Sequence, residues 1–359
     1  MNKKIIFSGG GTGGHILPAV NLMKHYFDKK YEVLLVTDNR GNKFIKNNSK
    51  YRSYILNTST TTNKNILKKI YSSFLIFSSI IKSISILIKE KPNLILGFGG
   101  YVSFPICIAS IFLNCPLVIY ENNIVLGRAN RYLSFFSKKI LVAKDIRRNL
   151  PDKYKNKIFK VGPILDKKII NLPKVKNNNN KNEFSILVLG GSQGAEVFGK
   201  IIPIVIKMLK DAKHKIEIIQ QCTVNQKKQL IEFYQKNNIK NYIFEFDSDI
   251  ISLVISSDIA ITRCGASTTA ELNHTFTPFI AVPLPDSIDN HQYLNAKYYE
   301  DKGCCWLLEQ KNFNANNLFN LIEETIKNKN KLENMQKNMK DNYNNNVYNI
   351  IEEEIKEFI

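Results

Sequence analysis

The densest chemistry lies in residues 257–296, which read SDIAITRCGASTTAELNHTFTPFIAVPLPDSIDNHQYLNA. A short apolar strand, 258–262, turns at Arg263-Cys264-Gly265 into a helix whose first turn is Ala266, Ser267, Thr268 and Thr269. The early N–H groups of such a helix have no acceptor within it, and its dipole places positive charge at that end, so the start suits a phosphate. Glu271 follows one turn in, and a carboxylate beside a phosphate site suits a ribose diol. After a second strand, 278–282, and a Pro- and Asp-bearing loop come Asp289-Asn290-His291-Gln292. Asp289 and Gln292 have the spacing of an N-capping box. A capped helix end would also fix Gln292 for hydrogen bonding to a ligand, so the two roles are compatible.

A second chemical centre is at the N-terminus. Strand 4–8 runs into GGGTGGH, residues 9–15, with a helix expected from about Pro18. Gly9, Gly11 and Gly14 satisfy G-x-G-x-x-G, and Asp38 closes the next strand, 32–37, at the separation of a ribose-binding acid, which taken alone suggests a dinucleotide enzyme. Any glycine-rich strand-to-helix turn lets a ligand approach the backbone, however. Thr12 adds a hydroxyl, and His15 adds a group that titrates near neutrality and could take a proton. A third turn, GFGGYVSFP at 97–105, ends strand 93–96 and offers Tyr101 and Ser103 as donors. A fourth, GGSQGA at 190–195, ends strand 185–189. Strand 117–120 ends in Glu121-Asn122-Asn123, an acid and two amides that cap a helix or face a cleft.

These turns need strands behind them, and the chain supplies two sets. Further strands are expected at 140–142, 157–161, 216–220 and 242–246. Both halves begin with a strand and a glycine-rich turn, which implies two Rossmann-like α/β domains facing across a cleft. The expected divisions are an N-terminal, membrane-side domain at 1–162, a linker and surface loop at 163–184 containing the polar run LPKVKNNNNKN, a C-terminal domain at 185–340, and a C-terminal helix at 341–359 that packs back on the first domain.

Composition narrows the class further. With 359 residues, 44% of them hydrophobic, the chain can bury two medium cores. Its net charge of +20 points to an anionic partner, whether nucleic acid, an acidic membrane or phosphorylated substrates, discounted because Lys, Asn and Ile are over-used everywhere. No nucleic-acid-binding module is recognisable. The six cysteines lack metal spacing and fit a reduced, cytosolic chain, and residues 1–4 run directly into a strand with no signal peptide. Residues 66–91 are apolar but carry Lys68, Lys69, Lys82 and Lys89, and their longest uncharged run, 70–81, falls short of the ~20 residues a span needs. This segment is read as either a buried α/β helix or an apolar patch resting on an anionic leaflet.

Taken in order, GGGTGGH, GFGGY, ENN with GRANR, GGSQGA, and RCGASTTAEL with VPLP and DNHQYLNA give the whole chain a resemblance to the MurG family. These are GT-B transferases that move N-acetylglucosamine from UDP-N-acetylglucosamine to undecaprenyl-pyrophosphoryl-N-acetylmuramyl-pentapeptide at the cytoplasmic face of the inner membrane, converting lipid I to lipid II. The resemblance implies that Thr12, Gly13, Gly14 and Asn123 line the donor sugar and that Ser192 hydrogen-bonds the donor pyrophosphate. It implies also that the backbone at Asp247 reads the uracil and that Ala266, Ser267, Thr268, Thr269 and Ala270 hold the pyrophosphate, with Glu271 on the ribose and Gln292 on the sugar hydroxyls. Gly13, Gly14, Gly99, Gly100 and Tyr101 would cradle the acceptor's pyrophosphate. The implied partners are the two substrates and an anionic membrane surface, not nucleic acid. The implied chemistry is an inverting transfer without cofactor or metal, with His15 as base and Glu121 as the alternative.

The chain departs from the family in three places. A Gly-Asn-Pro followed by arginine is Val161-Gly162-Pro163-Ile164-Leu165 here, one residue shorter, with Leu165 or Asp166 in the arginine's place and Lys167 and Lys168 as the nearest cations. His-Glu-Gln-Asn is Tyr120-Glu121-Asn122-Asn123. A glycine expected before the strand at 278 is Phe276, which should strain or reshape its turn without abolishing binding.

Overall fold

A computed structural model describes residues 3–11, 13–45, 50–58, 66–146, 152–172, 183–191, 196–247, 249–342 and 346–359. Two compact units emerge, Met1–Lys167 with Asn344–Ile359, and Lys168–Tyr343. The first is built on strands β1 (Lys4–Ser8), β2 (Glu32–Thr37), β3 (Arg52–Ile55), β4 (Leu94–Gly97), β5 (Leu117–Glu121), β6 (Lys139–Val142) and β7 (Ile158–Lys160). They form an all-parallel sheet in the order β3-β2-β1-β4-β5-β6-β7. The second is built on β8 (Phe184–Leu189), β9 (Ile216–Gln221), β10 (Lys240–Phe244), β11 (Ile259–Thr262), β12 (Phe279–Ala281) and β13 (Cys305–Leu307), parallel in the order β10-β9-β8-β11-β12-β13. Each sheet is therefore Rossmann-like, covered by helices and buried through runs such as Ile5-Ile6-Phe7 and Ile186-Leu187-Val188.

Strand order locates the sites. In each sheet the winding reverses between two central strands, and ligands of such folds bind beyond the carboxyl ends at that reversal. In the first unit the reversal falls between β1 and β4, where Ser8 lies opposite Gly97. The turns that follow them carry GGGTGGH and GFGGY. In the second it falls between β8 and β11, where Leu189 lies opposite Thr262, so the GGSQGA and RCGAS turns emerge together.

Four elements differ from expectation. β3 opens with exposed Arg52 and Ser53, and β13 spans three residues, so neither announces itself as an apolar run. The first helix is Gly13–Asp28 and contains Pro18 instead of starting there. Proline has no N–H for the carbonyl four residues earlier, and Asn122 Nδ2 donates to that carbonyl, Gly14 O, at 3.4 Å. The apolar segment at 66–91, expected as a helix too short in uncharged run to span a bilayer, forms a 25-residue helix, Ile66–Glu90, whose part Ile70–Glu90 is long and apolar enough to cross a membrane by length and composition. One side is tied to the first unit. Ser79 donates to Asn57 O, Lys82 to Ile55 O, and Glu90 pairs with Lys4 and Arg52.

Candidate active site

In the first unit the two glycine turns meet over His15. Its Nδ1 lies 2.9 Å from Phe98 O. A carbonyl only accepts, so Nδ1 carries a proton, and in the neutral ring Nε2 carries the lone pair. Gly99 and Gly100 adopt φ of 80° and 75°, and a Cβ on either would come within 3.3 Å of the His15 ring. Glycine is required there for both reasons. Gly13 and Gly14 form the first turn of the His15 helix. Thr12 and Ser192 lie outside the described residues.

Glu121 is 1% exposed and fully engaged. One oxygen accepts from Asn123 N and Nδ2, each at 3.0 Å, and the other from Gly127 N at 2.9 Å and Asn130 Nδ2 at 3.0 Å. The carboxylate thus organises the 121–130 loop, and Asn123 gives it its backbone N–H and one side-chain N–H. Asn130 also donates to Tyr120 O. Lys144 is buried nearby, and burial pulls its ammonium down to about 7 while the Glu121 charge opposes the shift. Asn130 and Lys144 were not singled out from sequence. Asn130 sits inside the GRANR motif, which could have drawn attention to it, whereas a lone lysine after a strand carries no signal.

Asp38 does not offer itself to a ribose. It is 8% exposed, and its Oδ1 accepts from Gly41 N at 2.8 Å and Gly11 N at 3.4 Å while its Oδ2 accepts from the Tyr101 hydroxyl at 2.9 Å. Burial, then Asp38, pushes the Tyr101 phenol up to about 12. The Tyr101 hydroxyl expected on a pyrophosphate is instead bonded within the protein.

In the second unit the helix is Ala266–His274, with Gly265 as an N-cap that has no side-chain capping bond. The first helical bond is from Thr269 N to Gly265 O at 3.0 Å, so the start of the helix presents backbone donors. Ala266, Thr269 and Ala270 point inward and are buried, and the Thr269 hydroxyl returns to Gly265 O and Ala266 O. Thr268 and Glu271 line an open hollow together with Gly191, Phe244, Phe246 and Asp247. Its apolar floor includes Leu189, Ile250, Val254 and Leu272, which suits a flat base. Phe246, 83% exposed at the rim, was not anticipated as a lining residue. Asp247 accepts from Tyr242 OH at 2.8 Å and from Asp249 N at 2.7 Å, which together hold its carboxyl below the usual range, the backbone bond contributing more.

Gln292 sits apart from that hollow. Its Oε1 accepts from Cys264 N at 3.1 Å and Leu284 N at 3.0 Å. Arg263 joins the same two segments by donating to Val282 O and Pro283 O, both at 3.1 Å. The capping box is replaced. Asp289 and Asn290 are both left-handed, Asn290 is the N-cap, and Gln292 N bonds the Ser287 hydroxyl at 3.3 Å.

The departures are accommodated internally. Tyr120 is fully buried, and its hydroxyl lies 3.2 Å from Gly162 O and accepts from Ile164 N at 3.1 Å, pinning the shortened segment. Leu165 is buried, with its carbonyl bonded by Tyr348, and Lys167 pairs with Asp28. Of the two residues in the arginine's place, Leu165 is thus committed to packing and Asp166 lies 3.9 Å from Lys24.

Comparison with known proteins agrees with this geometry. Residues 5–142 match the glycosyltransferase family 28 N-terminal domain and residues 185–353 the family 28 C-terminal domain. A Pelagibacter ubique protein named UDP-N-acetylglucosamine--N-acetylmuramyl-(pentapeptide) pyrophosphoryl-undecaprenol N-acetylglucosamine transferase is 38% identical over 342 residues, 95% of this chain and 94% of its own length. A Rickettsia canadensis protein of the same name is 38% identical over 343 residues, 94% of each. The crystal structure of Acinetobacter baumannii MurG superposes with a TM-score of 0.79 at 22% identity, covering 99% of this chain and 100% of that one. A Neisseria meningitidis UDP-GlcNAc 2-epimerase bound to UDP-GlcNAc has the same fold, with a TM-score of 0.68 at 14% identity, covering 99% and 100%.

Proposed function

The chain belongs to glycosyltransferase family 28 and, within it, to the MurG family, and from that premise we propose that it transfers N-acetylglucosamine from UDP-N-acetylglucosamine to the C4 hydroxyl of undecaprenyl-pyrophosphoryl-N-acetylmuramyl-pentapeptide, the lipid I to lipid II step of peptidoglycan synthesis. The observation that carries this reading is the hollow at the strand reversal of the second sheet. Asp247 and the pair Thr268 and Glu271, brought together from separate elements, surround it beside an uncapped helix start. The base rests on the apolar floor, the Asp247 backbone reads its edge, Glu271 takes the ribose diol, and the amides at the start of Ala266–His274 take the pyrophosphate. Gln292, whose carbonyl is committed to Cys264 and Leu284, turns its Nε2 donor to the sugar hydroxyls. The resemblance also assigns Ser192 to the donor pyrophosphate and Thr12, Gly13, Gly14 and Asn123 to the donor sugar. The acceptor's pyrophosphate lies on Gly13, Gly14, Gly99 and Gly100.

The reaction inverts the anomeric centre and uses no metal. The C4 oxygen attacks the anomeric carbon as the bond to UDP breaks, the hydroxyl proton passes to Nε2 of His15, and the charge left on UDP is stabilised by fixed backbone donors that need no reorganisation. With four donors on its oxygens, Glu121 serves best as the group that shapes the loop beside His15. The enzyme works as a peripheral protein on the cytoplasmic face of an anionic membrane. Leu67, Ile70, Tyr71, Phe74, Phe77 and Ile81 form an exposed apolar face on one helix with exposed Lys68 and Lys82.

The test is transfer of labelled N-acetylglucosamine from its UDP donor to a lipid I analogue in chelator, with UDP-glucose as competitor. Label in the lipid despite chelator supports the reaction and its metal independence. Tight UDP binding with no transfer overturns the acceptor assignment.

A further inference from the structure

We propose that Asp38 is a positioning residue for the acceptor, setting the two glycine turns of the first unit against each other through Gly11 and the Tyr101 hydroxyl. The inference rests on the reading above that these turns hold the acceptor's pyrophosphate. Asp38 stands at the end of β2, one strand away from β1, and it connects three segments that are remote in sequence. Its Oδ1 accepts from Gly41 N and from Gly11 N of the first turn, and its Oδ2 accepts from Tyr101 of the second. Its neighbour Thr37 donates to Gly9 O at 2.7 Å. The packing is as close as the bonding. A Cβ at Gly10 would stand 3.0 Å from Asp38 Oδ1, and one at Gly11 would stand 2.9 Å from the Tyr101 ring. Gly10 and Gly11 are thus clasped between Asp38 and Tyr101, and the backbone that would face a pyrophosphate has little freedom to tilt. Tyr101 acts through Asp38 and not on the acceptor.

The experiment is a double-mutant cycle on the full chain with Tyr101→Phe and Asp38→Ala, read as KM for the lipid I analogue, kcat, and the dissociation constant for UDP-N-acetylglucosamine. Tyr101→Phe keeps the ring and removes one charge-assisted bond, so acceptor KM rises about tenfold. Donor affinity and kcat stay near wild type, a split that general loss of structure would not produce. In the Asp38→Ala background Tyr101→Phe adds nothing further, because its partner is already gone. Additive effects overturn the inference, since they place the hydroxyl directly on the acceptor, and so does an unchanged KM in Tyr101→Phe. Where Asp38→Ala unfolds the protein, Asp38→Asn takes its corner of the cycle. Gly13→Ala separates this inference from the reading beneath it, because the added methyl meets only Leu17 Cδ1, at an ordinary 3.5 Å. A raised acceptor KM there with no change in Tyr101→Phe overturns the role of Asp38 alone. An unchanged KM in Gly13→Ala overturns the cradle, and the inference with it.

Discussion

Phe276→Gly should destabilise the second unit, although it installs the residue that the backbone there favours. Helix Ala266–His274 ends in a Schellman arrangement. Thr277 N bonds Leu272 O at 3.0 Å, Phe276 N bonds Asn273 O at 3.4 Å, and Phe276 between them has φ 53°. The expected strain is present, and the turn has kept its shape. A side chain in the left-handed region costs about 1–2 kcal/mol. The ring offsets this by being 6% exposed among Leu272, Phe279 and Tyr299, with Lys340 Nζ 5.7 Å from its centre. Removing a buried phenyl costs about 3–5 kcal/mol. Phe276→Gly then loses about 2–4 kcal/mol net, allowing also for the entropy of an unfolded glycine. Phe276→Ala keeps the strain, loses the ring and falls about 1 kcal/mol lower still. Urea unfolding followed through Trp306, the single tryptophan and a β13 residue, reports this unit. The expected order of midpoints is Phe, Gly, Ala. A glycine variant more stable than wild type, or an alanine variant above glycine, would refute the reasoning.

Other outcomes can be stated more briefly. His15→Ala should lower kcat by about 10²–10⁴ with UDP-sugar affinity unchanged; an unchanged rate removes His15 from the chemistry. Glu271→Ala should weaken UDP-N-acetylglucosamine about tenfold by calorimetry and should no longer distinguish it from the 2′-deoxyribose analogue. Burial holds the His25 imidazole below its usual 6.5, Glu352 opposing and Lys167 and Lys29 assisting. The unfolded chain therefore binds the extra proton, and stability is lost as pH falls below 6.5. Glu352, also lowered, adds to that loss only as pH falls below its own 4.5, above which its stabilisation is fully present. A urea midpoint that declines from pH 7.5 to 5.5 and is flattened in that range by His25→Asn is expected. Phe74→Glu with Phe77→Glu should abolish sedimentation with phosphatidylglycerol vesicles while leaving UDP binding intact.

The alternation of apolar strand and glycine turn was legible because a parallel sheet buried on both faces writes itself as continuous Ile, Leu and Val. The turns were legible because close approach to a ligand demands glycine. What stayed hidden were bonds between remote segments. Asp38 has the spacing of a ribose acid in the sequence, and only the neighbouring positions of β1, β2 and β4 show that Gly11 and Tyr101 consume it. Pro18 looked like a helix start because proline favours that place, whereas the vacated Gly14 carbonyl is met by Asn122 from beyond β5. The Asp289–Gln292 spacing fits a capping box, yet two successive left-handed residues move the cap to Asn290. Edge strands β3 and β13 carry too few buried positions to register.

The first unit is not contiguous. Tyr348 closes on Leu165 O, Glu352 on His25 and Lys29, and Glu354 on Lys139, all through the final segment of the chain. During synthesis, Lys168–Tyr343 must be made between the body of this unit and its last helix. At the usual ~5–20 residues per second that interval is roughly 10–35 s. Until it passes, Lys139 lacks its two described partners, Glu354 and Glu357, and the Tyr348 site on the nascent unit is open. Premature termination anywhere in the second unit would leave the first one unfinished as well, so a single late stop codon would cost the cell both halves of the enzyme.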